Sequence, residues 1–153
     1  MSNIALSTDQ IDNLLKAHKT FKGAFPCDRI PKFVENEYSV VLNCDPISLP
    51  GSHWTALFIK GDTGYYFDSF GRFYDNFSFP EVYRENLSKI CLNKKMRFQN
   101  KVLQGFHSNT CGEFCVYFIK QMDKIVPFSN IFSDFTENLN FNDKKIISLY
   151  RRD

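Results

Sequence analysis

Three features of the chain predict an α+β fold with one central sheet. Runs rich in β-branched and aromatic residues read as strands, apolar residues at spacings of three and four read as helices, and the two kinds mix without strict strand–helix–strand alternation. With 153 residues the chain can bury one core without staples, so a single domain over 1–153 is expected. Apolar residues at 43% and charged residues at 24%, with 7 Gly and 6 Pro, disfavour disorder and low-complexity sequence. The 17 Phe are more than a core of this size needs, which suggests that some line a groove for a partner.

The first helix is announced by Ser7-Thr8-Asp9-Gln10, a capping box, followed by Ile11, Leu14, Leu15 and His18 at helical spacing, with His18 on the helix surface. Gly23, Pro26 and Pro31 make residues 21–31 irregular. Residues 38–43 have strand composition, closed by Pro46 and Pro50. Residues 54–60 and 65–70 flank Gly61-Asp62-Thr63-Gly64 and read as a hairpin. Pro80 suits a first helical turn, after which Tyr83, Leu87, Ile90 and Cys91 share one helical face. Residues 96–103 read as another strand. From Cys111, the residues Phe114, Cys115, Phe118, Ile119 and Met122 have helical period, Pro127 ends that helix, and 143–150 form a last short one.

The net charge of +2 excludes a surface that grips nucleic acid all over, so any basic patch is local. No apolar run approaches the ~20 residues that cross a bilayer, and residues 1–10 lack a basic segment followed by an apolar one. Neither secretion nor a membrane partner is expected. Five cysteines, Cys27, Cys44, Cys91, Cys111 and Cys115, are an odd count at low density. That points to a reducing, intracellular compartment with at least one free thiol.

Cys111 is the most informative of them. Small and polar residues lead into it and an apolar helical pattern starts directly after it, so its thiol falls at a helix N-terminus. The partial positive charge there favours the nucleophilic thiolate. Gly112 leaves room for a substrate backbone. A cysteine nucleophile needs a base, and His53 in Gly51-Ser52-His53-Trp54 sits at the mouth of a strand rather than inside an apolar face. Asp68, near the end of the returning hairpin strand, is a charge among aromatics that wants a partner. A turn centred near Asp62 leaves His53 a few residues beyond the point opposite Asp68, a gap for loop curvature to close.

Together, Gly51-Ser52-His53-Trp54, Tyr66-Phe67-Asp68-Ser69-Phe70-Gly71 and Gln104-Gly105 leading to Cys111-Gly112-Glu113-Phe114-Cys115 resemble the adenovirus-type cysteine proteases, the adenain family. Their cousins process or remove ubiquitin-like proteins. The order His, Asp, Gln, Cys separates this group from papain-like enzymes, and the resemblance runs from the first helix to Met122. It implies a central mixed sheet flanked by helices, in a permuted papain-like arrangement. It also implies Cys111 as nucleophile, His53 as general base, Asp68 as the residue that orients the imidazole, and Gln104 as oxyanion donor. Asp68 stands where the adenoviral enzymes often have Glu, and Ser69 where they have Pro. The implied activity is a thiol endopeptidase of viral or virus-derived-element precursors, cleaving at Gly-Gly or Gly-X sites through an acyl-thioester, with Gly51, Trp54 and Gly112 at the substrate. The seven-residue step from Gln104 to Cys111 favours this over a deconjugase for a ubiquitin-like modifier. Retention of all four key residues argues against an inactive binding module.

A zinc module built on His107, Cys111 and Cys115, spaced by fours, is disfavoured, because Ser108-Asn109-Thr110 is poor helix interior and no Cys-x-x-Cys pair exists. No metal is therefore expected, and the chemistry requires no cofactor. Residues 89–101 carry Lys89, Lys94, Lys95, Arg97 and Lys101 with no acid between them. Adenoviral relatives are activated by a peptide and by DNA, so this stretch is where a polyanion contact is expected. Cys91 lies roughly where those relatives form a mixed disulfide with their peptide. Lys144, Lys145, Arg151 and Arg152 make a second basic cluster, and the protein is expected to be a monomer acting on a protein substrate.

Overall fold

The strands lie side by side in chain order. In the computed structural model, which describes residues 4–150, β1 (Phe21–Pro26), β2 (Glu37–Asn43), β3 (Trp54–Lys60), β4 (Thr63–Phe67) and β5 (Lys95–Phe98) form one sheet. The outer pairs β1–β2 and β4–β5 are parallel and the inner pairs antiparallel, so the α+β fold has a mixed sheet. Helices α1 (Thr8–Leu15), α2 (Glu81–Ile90), α3 (Cys111–Asp123) and α4 (Leu139–Tyr150) complete the molecule, with a 3-10 turn at Phe128–Asn130.

Alternation along the strands sends apolar side chains to both faces. Ala56 and Phe58 of β3 pack with α1, α3 and α4, while Leu57 and Ile59 pack with Tyr83 and Leu87 of α2. A sheet covered on both sides needs continuous apolar strands, and Val40, Val41 and Leu42 are all fully buried. For the same reason α3 is apolar nearly all round, burying Phe114, Cys115, Val116, Phe118 and Ile119 between the sheet and α4.

The capping box forms as expected, with Gln10 N–H donating to Ser7 Oγ and Ser7 N–H donating to Gln10 Oε1. His18 lies beyond α1 rather than on its surface, and its Nδ1 sits 3.1 Å from Asp123 Oδ2. Residues 21–26, expected to be irregular, are strand β1. Gly23 at φ +138° absorbs a register shift, and Pro26 ends an edge strand, where its missing N–H costs little. Strand β4 occupies Thr63–Phe67 instead of 65–70, because the hairpin loop is only Gly61-Asp62, with Gly61 at φ +60°. Strand β5 stops at Phe98, well short of residue 103. There Gln99 bonds both the N–H and the carbonyl of Lys101 and diverts the chain. Helix α4 starts at Leu139, before the expected Asp143, behind an Asn138 side chain that accepts from Phe141 N–H.

Candidate active site

The site forms where β3 begins, β4 ends and α3 begins. Because Ala56 pairs with Phe67, continuing the register puts Asp68 opposite Thr55, two residues short of His53. The loop before β3 curves enough to close that gap, and His53 Nε2 lies 2.5 Å from Asp68 Oδ1. An ionised carboxylate only accepts, so Nε2 carries the proton. The same imidazole hydrogen-bonds the Cys111 thiol, and with Nε2 engaged the nitrogen left for sulfur is Nδ1. Trp54 N–H donates to Cys111 Sγ at 3.4 Å, at the first residue of α3.

Asp68 is fully buried and is held by more than His53. Arg72 Nε and backbone N–H donate to Oδ2 at 2.7 and 3.1 Å, and its Nη2 donates to Oδ1 at 3.3 Å. Gly71 at φ +76° makes this tight return, and any Cβ there would lie 2.8 Å from the Asn100 backbone. Burial raises the Asp68 carboxyl's pKa, but the hydrogen bonds and positive charge of His53 and Arg72 outweigh it and hold the group below the usual range. For His53, burial works against the cation, yet its bonds to Asp68 and Cys111 and their charge lift it to about 9. Sequence reasoning missed Arg72. A cation four residues after a buried aspartate was the available signal.

Phe70 stacks on the His53 ring at 5.2 Å, and Phe106 stacks on Phe70 at 6.1 Å. Gln104, also buried, accepts from Ser69 Oγ at 2.5 Å on Oε1 and donates from Nε2 to the Ser108 carbonyl at 2.9 Å. A flipped amide would set its oxygen against that carbonyl, so the orientation is fixed and one Nε2 hydrogen is left over. Ser69, a departure from the adenoviral pattern, here orients the glutamine.

Two cavities meet at Cys111 and His53. One, of about 400 Å³, is lined by Leu6, Ile47, Leu49, Pro50, Gly51 and Trp54. The other, of about 420 Å³, is lined by Phe70, Arg72, Gln104 and Phe106. Gly51 and Trp54 thus border the cleft. Gly112 does not give a substrate room: it is buried, and a Cβ there would come within 3.1 Å of Leu6 and 3.3 Å of Trp54, so its missing side chain serves packing.

The four other thiols are also free and buried, and burial raises each of them. Cys27 is pushed up to about 11, Cys91 to about 12, and Cys44 and Cys115 well above the usual thiol range. His107 lies in an exposed turn off the α3 face that carries Cys111 and Cys115, and among the described residues no three His, Cys, Asp or Glu side chains cluster for a metal. Lys89, Lys94, Lys95, Arg97 and Lys101 follow the end of α2 and the β5 edge, and none lines either cavity. Lys94 Nζ donates to the Gly61 carbonyl, and Arg97 lies over the Phe128 ring at 5.0 Å. Arg151 and Arg152 of the second basic cluster fall outside the described residues. No described helix is long and apolar enough to cross a membrane.

No protein-family model matches the chain. A curated relative, the putative thiol protease R355 of Acanthamoeba polyphaga mimivirus, is 31% identical over 109 residues, which are 65% of this chain and 34% of the relative. The chain therefore spans about a third of that protein's length. Among solved structures, the ASFV pS273R protease superposes with a TM-score of 0.63 at 21% identity, over 99% of this chain and 68% of the protease. The resemblance to adenovirus-type cysteine proteases read from the motifs thus has counterparts in both comparisons, a thiol protease in sequence and a protease fold in three dimensions.

Proposed function

We propose that the chain is a cysteine protease with Cys111 as nucleophile. The observation that carries this reading is one imidazole, His53, bonded to the buried Asp68 on one side and to Cys111 on the other, at the junction of two cavities. His53 Nδ1 takes the thiol proton, and Sγ adds to the substrate carbonyl. The oxyanion is met by the spare Nε2 hydrogen of Gln104 and by the backbone N–H of Cys111, an amide without a partner in a preceding helical turn. The imidazolium then protonates the leaving amine, and water hydrolyses the thioester by the same route. Asp68, itself fixed by Arg72, keeps the ring aligned and stabilises its cationic form. Cleavage beside glycine in a precursor protein is the substrate reading that follows from the motif resemblance, with Gly51 and Trp54 at the cleft.

A panel of Gly-Gly peptides and ubiquitin-like precursors tests the proposal. Wild type should cleave at least one member, Cys111→Ala none, and Gln104→Ala should lose about two to three orders of magnitude in rate, or roughly 3–4 kcal/mol of transition-state stabilisation. Cleavage undiminished in Cys111→Ala would refute it.

A further inference from the structure

One turn of α4 grips the whole loop between Gln104 and Cys111. Asp143 accepts from Gly105 N–H at 3.2 Å and from the Thr110 hydroxyl at 2.8 Å, and Ser108 Oγ lies 3.2 Å from the same carboxylate. Its neighbour Asn142 is buried and donates to the carbonyls of Leu103, at 3.1 Å, and Thr136, at 2.7 Å. The loop is thus tied just before Gln104, within its span, and immediately before Cys111. The glycine after Gln104 belongs to the same device, since a Cβ on Gly105 would fall 2.7 Å from Asp143 Oδ2. Ser108 closes the circuit: its side chain meets Asp143 while its carbonyl accepts from Gln104 Nε2.

We infer that Asp143 is a positioning residue, which sets the Gln104 amide for the oxyanion by clamping loop 104–110 from α4. This rests on the protease reading above and gives the C-terminal helix a part in it. The carboxylate accepts from the Gly105 N–H, which can only donate, and meets the hydroxyls of Thr110 and Ser108, of which Ser108 also lies 3.0 Å from the Gly105 carbonyl. Truncation to alanine would leave the Gly105 N–H without its side-chain acceptor and release both hydroxyls of the loop. Gln104 would then drift from the oxyanion position, and misplacement on that scale costs turnover rather than substrate binding.

Asp143→Ala tests this on a coumarin-amide peptide ending in Gly-Gly, beside alkylation of Cys111 by iodoacetamide, a reaction that develops no oxyanion. The expected result is a fall in kcat of about ten- to hundred-fold with KM little changed and alkylation near the wild-type rate. Gly105→Ala should also lower kcat, yet add little in an Asp143→Ala background, where the carboxylate it collides with is gone. Wild-type turnover in Asp143→Ala, equal loss of turnover and alkylation, or additive effects of the two substitutions would each overturn the clamp while leaving the protease reading in place. A wild type that neither cleaves nor is alkylated at Cys111 would instead remove that reading, and the clamp with it.

Discussion

His53 is placed by partners on three sides: Asp68 at Nε2, the Cys111 thiol, and the face of Phe70. Each has a separate effect. The carboxylate fixes the tautomer and favours the cation, the thiol is the proton source, and the aromatic ring limits rotation. The proposed proton return to the leaving amine needs imidazolium, and with His53 raised to about 9 that form persists well above neutrality. Rates should therefore fall as pH rises through about 9, the direction in which the cation is lost. Asp68→Asn removes the hydrogen-bonded anion and leaves Arg72 as an uncompensated positive neighbour, so His53 should drop toward its ordinary value of about 6.5. We expect residual cleavage whose alkaline limb lies at lower pH than in wild type. A pH–rate profile of the two proteins checks this, and an unmoved limb would show that Asp68 does not set the histidine's ionisation.

At the scale of elements, the strand composition of residues 38–43 and 54–60, the capping box at Ser7 and the helix starting at Cys111 were legible because local pattern and tertiary role agree there. The four residues of the candidate site were legible from three short motifs. Strand β1 was not, because it pairs with a parallel strand and its bulge glycine reads locally as a breaker. Nor was Arg72 or the α4 clamp, since long-range hydrogen bonds such as Asp143 to Gly105 leave no periodicity in the sequence. The basic stretch was legible as composition, and none of its five cations lines either cavity. A polyanion contact there, proposed from the family resemblance, would act on the site from outside both cavities. Cleavage of a Gly-Gly peptide should rise with duplex DNA at roughly 20 mM salt and lose that gain at roughly 200 mM, as counterion release weakens the contact. Equal rates in all four mixtures would remove DNA from the account.

At the scale of the molecule, one sheet buried on both faces fixes the ends of β3 and β4 relative to the start of α3, and those three chain ends carry His53, Asp68 and Cys111. The neighbouring loops carry only what must be adjusted: Gln104 between Ser69 and Ser108, and Arg72 around Asp68. Burial raises the other four thiols, and Cys111 is the thiol that His53 meets. The central claim is therefore that a single thiol, activated by His53, performs the chemistry. Its most direct test is to treat the folded protein with a Gly-Gly peptide carrying a thiol-reactive electrophile at its C-terminus and to locate the adduct by peptide mass mapping. One adduct is expected, on Cys111, formed far more slowly in His53→Ala and unaffected by Cys115→Ser. An adduct on Cys115, or a Cys111 adduct formed at the same rate without His53, would contradict it.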